Sequence, residues 1–200
     1  GSGRAGMIHA RNFQGRVPFC TVSVVCDAFE EAAAAAAKEL GTNRHETDYK
    51  KVLSDESIDA VVIATPTKYH CEIAVAAAKA GKHILCEKPM AMTVEECDLM
   101  YKTAKECGVV LQIGFMRRFD ASFIAAKKMV DEGKIGDVVM VRSNTRGPSI
   151  PKPWMYDISK SNGPLAEVNS HDIDSLRWFT GSDFKTVFAT AGNYRCPDAK

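Results

Sequence analysis

Short apolar runs alternate with longer alanine-rich segments along the first half of the chain. Val22–Cys26 is β-branched, and Phe29–Leu40 after it is dominated by alanine and glutamate, which predicts a strand and then a helix. The same order then repeats, predicting strands over Ile58–Ala64, His83–Cys86 and Val109–Phe115, and helices over Cys71–Ala80 and from Thr93 onward. Alternation at this spacing indicates parallel strands joined by crossover helices.

The predicted helices carry end signals. Gly41, Gly81 and Gly108 follow the last residues of three helices, and glycine commonly ends a helix. Thr93 and Glu96 form the Thr-x-x-Glu pattern of a capping box at the start of the third. Element boundaries are therefore predicted together with the elements.

The pattern changes in the second half of the chain. Its segments are a helix near Ser122–Asp131, a strand over Val138–Asn144, a loop with Pro148, Pro151 and Pro153, a helix over roughly Pro164–Phe179 and a strand over Thr186–Ala191. We place a domain boundary near Arg117, so that residues 1–116 form a first domain and residues 117–200 begin a second.

Composition narrows the class of partner. The 200 residues include 26 Lys and Arg against 25 Asp and Glu, a net charge of +1, and 46% are hydrophobic. Such a chain folds around a core and has no basic excess with which to bind nucleic acid or an anionic membrane. No apolar stretch approaches the ~20 residues that span a bilayer, and no signal peptide is visible. We therefore expect a small-molecule partner.

The seven cysteines are scattered over predicted strands and helices without a Cys-x-x-Cys pair. An odd, dispersed set indicates reduced thiols that pack as small apolar residues. We therefore expect a cytoplasmic protein and no metal site.

A glycine pattern opens the chain. It is the Gly-x-Gly-x-x-Gly of Gly1, Ser2, Gly3, Arg4, Ala5 and Gly6. Glycines there let backbone amides approach a pyrophosphate at a helix N-terminus. Asp27 ends the run Val22–Cys26, at the spacing of the carboxylate that binds the adenosine ribose in dinucleotide-binding units. This pattern predicts NAD bound by Gly1, Gly3, Arg4, Ala5, Gly6 and Asp27; the alternative is a glycine turn that only begins a helix.

In a doubly wound sheet, the strand that precedes such a glycine turn is the central one. The sequence begins at Gly1, so it does not contain this strand. We therefore expect a chain truncated at its N-terminal end. In isolation it should be unstable, because the missing strand leaves unpaired backbone edges and reduces apolar burial.

Three further stretches follow predicted strands. They are Ala64-Thr65-Pro66-Thr67-x-x-His70, Cys86-Glu87-Lys88-Pro89 and Gly114-Phe115-Met116-Arg117-Arg118-Phe119-Asp120. With the glycine turn they make the chain resemble the glucose–fructose oxidoreductase/inositol dehydrogenase (Gfo/Idh/MocA) family, closest to its inositol 2-dehydrogenase-like members. The resemblance implies an α/β fold with a Rossmann doubly wound parallel sheet and a second α/β domain with a mostly antiparallel sheet. Members are usually much longer, so we expect the second domain to be incomplete at its C-terminal end.

All three stretches follow the carboxyl ends of parallel strands, where open α/β sheets bind ligands. The resemblance implies further cofactor neighbours at Thr65, Pro66, His70, Glu87, Lys88 and Met116. It also implies that Lys88 is a catalytic group in contact with the substrate. Arg117 is a candidate substrate contact, as are Trp154 and Tyr156 in the proline-rich loop.

A second cluster lies in the predicted helix Pro164–Phe179. Glu167 and His171 are four residues apart, which places them on one face of a continuous helix. The family pattern has an acidic residue, three others and then His-Asp, with the histidine catalytic; members most often have aspartate where Glu167 stands. Asp172 and Asp174 are expected to be solvated or to interact with the helix dipole.

Together these features predict an NAD-dependent dehydrogenase that oxidises a secondary hydroxyl of a cyclic polyol or sugar to a ketone. His171 would be the general base and would contact the substrate, Lys88 would hydrogen-bond the reacting oxygen, and Glu167 would orient them. An NAD-dependent glycosidase and a non-catalytic metabolite sensor use the same scaffold, and the presence of Lys88 and His171 argues against the sensor. The resemblance to inositol dehydrogenases implies an aspartate after the arginine of the proline-rich loop, whereas here Gly147 follows Arg146. This difference weakens inositol as the substrate. A homo-oligomer is expected at full length.

Overall fold

The computed structural model describes residues 1–145, 157 and 159–192, apart from the Pro164 side chain. The proline-rich loop and Cys196 lie outside the described residues, as do Arg146, Gly147, Trp154 and Tyr156. The chain divides into two compact units, Gly1–Gly114 and Phe115–Lys200.

The first unit alternates helices and strands. Its elements are α1 (Arg4–Gly15), β1 (Val25–Cys26), α2 (Glu30–Leu40), β2 (His45–Glu46), α3 (Tyr49–Leu53), β3 (Ala60–Ile63), a 3₁₀ helix (Thr67–Tyr69), α4 (His70–Lys79), β4 (His83–Cys86), α5 (Val94–Glu106) and β5 (Leu111–Ile113). The predicted order of strands and helices is confirmed, and β2 and α3 are additional short elements.

The strands form two parallel sheets. β1 pairs with β2, and β4 lies between β3 and β5 with Ile84 opposite Val61 and Leu111. Within the described residues, β1 and β3 are not hydrogen-bonded to each other. The predicted parallel pairing of strands joined by crossover helices is therefore confirmed in the described residues.

Local sequence signals set the helix ends. Gly41 ends α2 with φ +71°, a left-handed conformation that favours glycine. Thr93 caps α5 by accepting a hydrogen bond from the Glu96 N–H at 3.2 Å, while the Glu96 carboxylate accepts one from the Met92 N–H at 2.9 Å. The predicted cap is therefore present, with the glutamate bonding one residue further out than in the usual capping box.

Small side chains build the core of the first unit. One apolar cluster joins α4 and α5 to the β3–β4–β5 sheet, and a second joins α1 and α2 to β1. The most deeply buried members of the first cluster are Ala74, Ala77, Cys86 and Met100. Alanine faces let these helices approach the strands closely, so the alanine run of α2 packs on the sheet.

The second unit has a 3₁₀ helix (Met116–Phe119), α6 (Ala121–Asp131), α7 (Gly163–Glu167) and α8 (Ser170–Thr180). Asp120 caps α6 by accepting hydrogen bonds from the N–H groups of Ser122 at 2.9 Å and Phe123 at 3.2 Å. The strands predicted over Val138–Asn144 and Thr186–Ala191 are wrong: the described parts of both segments are irregular. A strand requires a neighbouring strand, and neither segment has one among the described residues.

The predicted helix Pro164–Phe179 is also wrong as one element, because the chain turns at Val168 and Asn169 between α7 and α8. The Asn169 amide donates to Asp172 at 3.1 Å, and the Asn169 carbonyl accepts the N–H groups of Asp172 and Ile173. Asparagine is more favourable at helix starts than in helix interiors, which agrees with Asn169 as the N-cap residue of α8.

Six of the cysteines lie in the described part of the chain, and all six are free thiols. Among the described residues, no helix has the length and apolar character that crossing a bilayer requires.

Candidate active site

The glycine turn before α1 is packed too closely for side chains. A Cβ on Gly1 would lie 2.7 Å from the Ala64 carbonyl oxygen, and a Cβ on Gly6 would lie 1.9 Å from the Gly1 carbonyl oxygen. Gly3 is the N-cap of α1, with open space around its missing side chain and no side-chain cap. Because the first amides of an α-helix have no partners within the helix, a turn of this kind fits a phosphate group.

Arg4 and Ala5 form the first turn of α1 and are exposed. The structure thus places the predicted phosphate-binding residues Gly1, Gly3, Arg4, Ala5 and Gly6 in one turn and helix start.

Asp27 joins this turn to the end of β1. One carboxylate oxygen accepts hydrogen bonds from the Ser2 N–H at 2.7 Å and the Ser2 hydroxyl at 2.9 Å, and the other accepts from the Phe29 N–H at 3.1 Å. Burial opposes ionisation of Asp27, but the hydrogen bonds from Ser2 and Phe29 outweigh it and lower the pKa. The carboxylate is therefore negative and keeps lone pairs for the predicted ribose hydroxyls.

The loop after β3 adds a polar group to the same region, since Ala64 packs against Gly1. The Thr65 hydroxyl is buried and has no hydrogen-bond partner in the described part of the chain, and Pro66 beside it is exposed. A buried hydroxyl without a partner is costly unless a ligand or water completes it. Thr65 and the glycine turn therefore fit a polar cofactor.

His70 lies under this loop with 1% of its surface exposed. Its Nδ1 is 2.8 Å from the Pro89 carbonyl oxygen and its Nε2 is 2.9 Å from the Thr65 carbonyl oxygen. Both ring nitrogens are thus engaged by the backbone of two loops. His70 therefore connects these two loops, and its place in the neighbourhood of the cofactor stays a prediction.

Glu87 and Lys88 follow β4 and are half-buried. One Glu87 oxygen lies 2.6 Å from His9 Nε2, and the other accepts the Lys88 N–H at 3.1 Å. A Cβ on Gly114 would lie 3.2 Å from the Glu87 carboxylate, so the glycine after β5 makes room for it. Burial raises the pKa of Glu87, but the hydrogen bonds from His9 and from the Lys88 N–H lower it by more, so the net shift is downward. His9 is not among the residues predicted from the sequence, although its place one turn beyond Gly6 on α1 was an available signal.

The second unit holds a buried carboxylate, Asp172, with 5% of its surface exposed. It accepts hydrogen bonds from Arg117 at 2.6 Å, Ser143 at 2.5 Å, Thr145 at 2.7 Å and the Asn169 amide at 3.1 Å. Burial opposes ionisation of Asp172, yet Arg117 and the two hydroxyls lower its pKa to about 2. Asp172 is not solvated, but it lies in the first turn of α8, as the helix-dipole alternative predicts. The Arg117 guanidinium, predicted to contact substrate, is paired with this carboxylate.

A second arginine pair lies beside the first. Arg118 donates to Asp174 through Nε at 2.9 Å and through Nη2 at 2.8 Å. The two pairs hold the 3₁₀ helix Met116–Phe119 against α8, while Met116 remains exposed. Asp174 is therefore an ion-pair partner, contrary to the prediction.

His171 is the second residue of α8. Its ring packs edge-on against Phe115, with ring centroids 6.5 Å apart and planes at 84°, and its carbonyl accepts the Ser175 hydroxyl at 2.7 Å. Glu167 is buried and ends α7. The turn between α7 and α8 means that the continuous-helix reason for pairing Glu167 with His171 is wrong.

Comparison with known proteins adds to this geometry. Residues 1–115 match the family model described as the oxidoreductase family, NAD-binding Rossmann fold, and residues 123–198 match the GFO/IDH/MocA C-terminal domain. The chain belongs to the Gfo/Idh/MocA oxidoreductase family. Its first unit is the NAD-binding Rossmann domain of that family, and the predicted cofactor is confirmed.

Several Gfo/Idh/MocA members align along most of the chain. The scyllo-inositol 2-dehydrogenase (NAD(+)) of Bacillus subtilis is 37% identical over 94% of this chain and 54% of its own length. The levoglucosan dehydrogenase of Pseudarthrobacter phenanthrenivorans is 36% identical over 86% of this chain and 45% of its own. The crystal structure of scyllo-inositol dehydrogenase from Lactobacillus casei with NAD(H) and scyllo-inositol has a TM-score of 0.80 and 34% identity, over 90% of this chain and 54% of that one. The chain thus spans about half the length of these relatives.

Proposed function

We propose that the protein is an NAD-dependent dehydrogenase that oxidises a secondary hydroxyl of a cyclic polyol or sugar to a ketone. The observation that carries the proposal is the glycine turn at α1, beside a Thr65 hydroxyl that has no hydrogen-bond partner among the described residues. The chain is also similar to inositol and levoglucosan dehydrogenases. NAD, when bound, accepts the hydride. The protein's task is to hold both reactants and move a proton.

The cofactor is held by the first unit in this proposal. The amides of the glycine turn bind the pyrophosphate, Asp27 accepts the adenosine ribose hydroxyls, and the Thr65 hydroxyl meets a polar group. Because Asp27 is ionised, it repels a ribose 2′-phosphate. We expect kcat/KM to be higher with NAD than with NADP; equal or better use of NADP would contradict this assignment.

Proton transfer is assigned to Lys88 and His171 on the family resemblance. His171 takes the hydroxyl proton as general base, and the Lys88 ammonium hydrogen-bonds the reacting oxygen and stabilises its developing negative charge. Glu167 is proposed to act with them electrostatically. Met116 and Glu87 remain proposed cofactor neighbours and Arg117 a proposed substrate neighbour.

The substrate class rests on the relatives, one named for a cyclic polyol and one for a sugar derivative. Both names fit a ring with several hydroxyl groups, so the proposal stops at that class. NADH formation with a panel of inositols, aldoses and anhydrosugars tests it. Hydrolysis of an aryl glycoside without net NADH would instead identify an NAD-dependent glycosidase.

We propose that this oxidoreductase is a cytoplasmic homo-oligomer. The six free thiols in the described residues support a reducing compartment, and the family resemblance supports self-association. Fractionation of source cells and light scattering of the purified protein test these two statements.

The catalytic assignment is tested in the full-length protein. Lys88→Met and His171→Ala should each lower kcat by on the order of 10²–10⁴ with little change in NAD affinity. Because the two groups serve one proton transfer, the double variant should be little worse than the poorer single variant. Glu167→Gln should cost less than either, since it removes the charge and keeps a hydrogen-bonding group.

The exposed Lys79 provides the control, and Lys79→Met should turn over normally. Retained turnover in His171→Ala would remove the base from the mechanism. Loss of NAD binding in Lys88→Met would reassign that lysine to the cofactor.

A further inference from the structure

We propose that His9 is a positioning residue for Lys88, acting through Glu87. This inference rests on the proposed function only for its effect on turnover. His9 lies on α1, one turn beyond Gly6, and Glu87 directly precedes Lys88 in the loop after β4. The hydrogen-bonded series from His9 to Glu87 to Lys88 therefore joins the helix of the glycine turn to the backbone of the proposed catalytic lysine.

The direction of the first hydrogen bond follows from the acceptor. An ionised carboxylate has lone pairs and no proton to donate. His9 Nε2, at 2.6 Å from Glu87 Oε1, must therefore carry the hydrogen and donate it. The bond is short and partly shielded from water, as is usual for a charge-assisted hydrogen bond.

The second step fixes the lysine backbone. Glu87 Oε2 accepts the Lys88 N–H at 3.1 Å, while Oε1 remains with His9. Each carboxylate oxygen thus has a different partner, on α1 and in the β4 loop. Rotation of the Glu87 side chain would break both bonds, so anchoring by His9 also holds the Lys88 N–H.

A third contact restricts the carboxylate. The Glu87 carboxylate lies over Gly114, where a Cβ would come within 3.2–3.3 Å of its carbon and both oxygens. The end of β5, the loop after β4 and α1 therefore meet at one side chain. A well-packed carboxylate at such a junction transmits the position of one element to the next.

The charged and titratable groups acting on Glu87 are His9 on α1 and Lys88 in its own loop, with Cys86 on β4 next to it. Burial by itself raises the pKa of Glu87, and the hydrogen bond from His9 is the first of the contributions that bring it below its ordinary value of 4.5. Removal of His9 therefore leaves a half-buried carboxylate with less stabilisation of its charge. Its pKa rises, and the loss of Lys88 positioning moves to higher pH.

The test compares His9→Phe, which removes the donor, with His9→Gln, whose side-chain amide can donate from nearly the same point. His45→Phe is the matched control, because His45 forms a similar 2.7 Å pair with Glu30 on the exposed surface of the same unit. For each variant of the full-length protein, three quantities are measured: hydrogen exchange at the Lys88 amide without NAD, the Glu87 carboxyl titration by ¹³C NMR, and kcat.

His9→Phe should speed exchange at Lys88, raise the pKa of Glu87 and lower kcat by about ten- to a hundred-fold, the usual cost of a small displacement at a reacting group. His9→Gln should restore all three, and His45→Phe should change none. The proposal would be overturned if Lys88 amide exchange and Glu87 titration in His9→Phe were the same as in the wild type. It would also be overturned if His9→Gln failed to restore them.

A measurement on the unaltered protein covers the case in which His9→Phe does not fold. ¹⁵N NMR of the wild type should show a proton on His9 Nε2, and an unprotonated Nε2 at neutral pH would overturn the proposal. Exchange, titration and protonation need no substrate. Absence of polyol oxidation in the wild type would therefore count against the proposed function and leave these three outcomes readable.

Discussion

Each of the two units of the chain is stabilised internally by a different kind of interaction. In Gly1–Gly114, apolar residues from α1 to α5 are buried in two clusters against the parallel strands. In the described part of Phe115–Lys200, the buried residues are polar: Ser161, Glu167, Asp172 and Ser175. The apolar residues Val139, Val187 and Phe188 of the second unit are largely exposed.

This difference separates two kinds of stabilising interaction. Burial of small apolar side chains is non-directional and scales with area, so it tolerates local adjustment. A buried carboxylate with an arginine and three neutral donors depends on the geometry of each hydrogen bond. The two units should therefore respond differently to core truncation, to loss of one charge and to acid.

The largest effect is expected from a cavity in the first unit. Met100 is 1% exposed in the cluster around α4 and α5, and Met100→Ala should lower the free energy of unfolding by about 2–5 kcal/mol. The matched change Met140→Ala, at a side chain 78% exposed in the second unit, should stay within about 0.5 kcal/mol. Denaturant titration followed by circular dichroism measures both, and equal losses would contradict the comparison.

The next effect is expected from the buried pair in the second unit. Among the described residues, Arg117→Met leaves the Asp172 charge with the neutral donors Ser143, Thr145 and Asn169. It should cost about 3 kcal/mol, the low end for a buried pair, because Arg117 is 20% exposed. Both tryptophans of the sequence, Trp154 and Trp178, belong to the second unit. Tryptophan fluorescence should therefore follow this loss, whereas a shift confined to the circular dichroism transition would contradict it.

Acid should weaken the same network. The pKa of Asp172, about 2, lies below its ordinary value of 3.8, so its contribution is complete above pH 3.8 and is lost as the pH falls through about 2. This contribution is on the order of 2 kcal/mol. Unfolding followed by tryptophan fluorescence at pH values from about 5 down to about 2, roughly the range in which Asp172 titrates, should show this loss of stability. Asp172→Asn should flatten that dependence, and an unchanged acid profile in this variant would assign the dependence to other groups.

The smallest effect is expected from an exposed ion pair. Arg11 and Glu39 form a 2.6 Å pair with about half of each side chain exposed, and water and salt screen such pairs strongly. Arg11→Met should leave the unfolding midpoint unchanged within error. A loss comparable to that of Arg117→Met would show that burial does not decide the strength of these pairs.

Sequence reasoning succeeded where the controlling interactions are local. The capping of α5 by Thr93 and the end of α2 at Gly41 depend on residues within one turn, and the α2 alanines follow helical spacing. The short elements β2 and α3 were missed because two to five residues carry too little periodicity to detect.

Prediction was weaker where partners are distant in sequence. His9 and Glu87 are 78 residues apart, and Arg117 and Asp172 are 55 apart, so no local pattern pairs them. The two strands predicted in the second unit are rich in β-branched and apolar residues, but pairing is not a property of one segment. The turn at Val168 and Asn169 interrupts a segment whose spacing predicts one helix.

The burial of Cys86 has a consequence for chemical labelling. Its thiol is completely inaccessible, and burial raises its pKa to about 12, so at neutral pH roughly one in 10⁵ of these groups is a thiolate. Cys107, at the end of α5, is exposed. An alkylating reagent should therefore modify Cys107 in the folded protein and reach Cys86 only when the β4 region opens. The ratio of the two labels would record how often the Rossmann core opens, without any added probe.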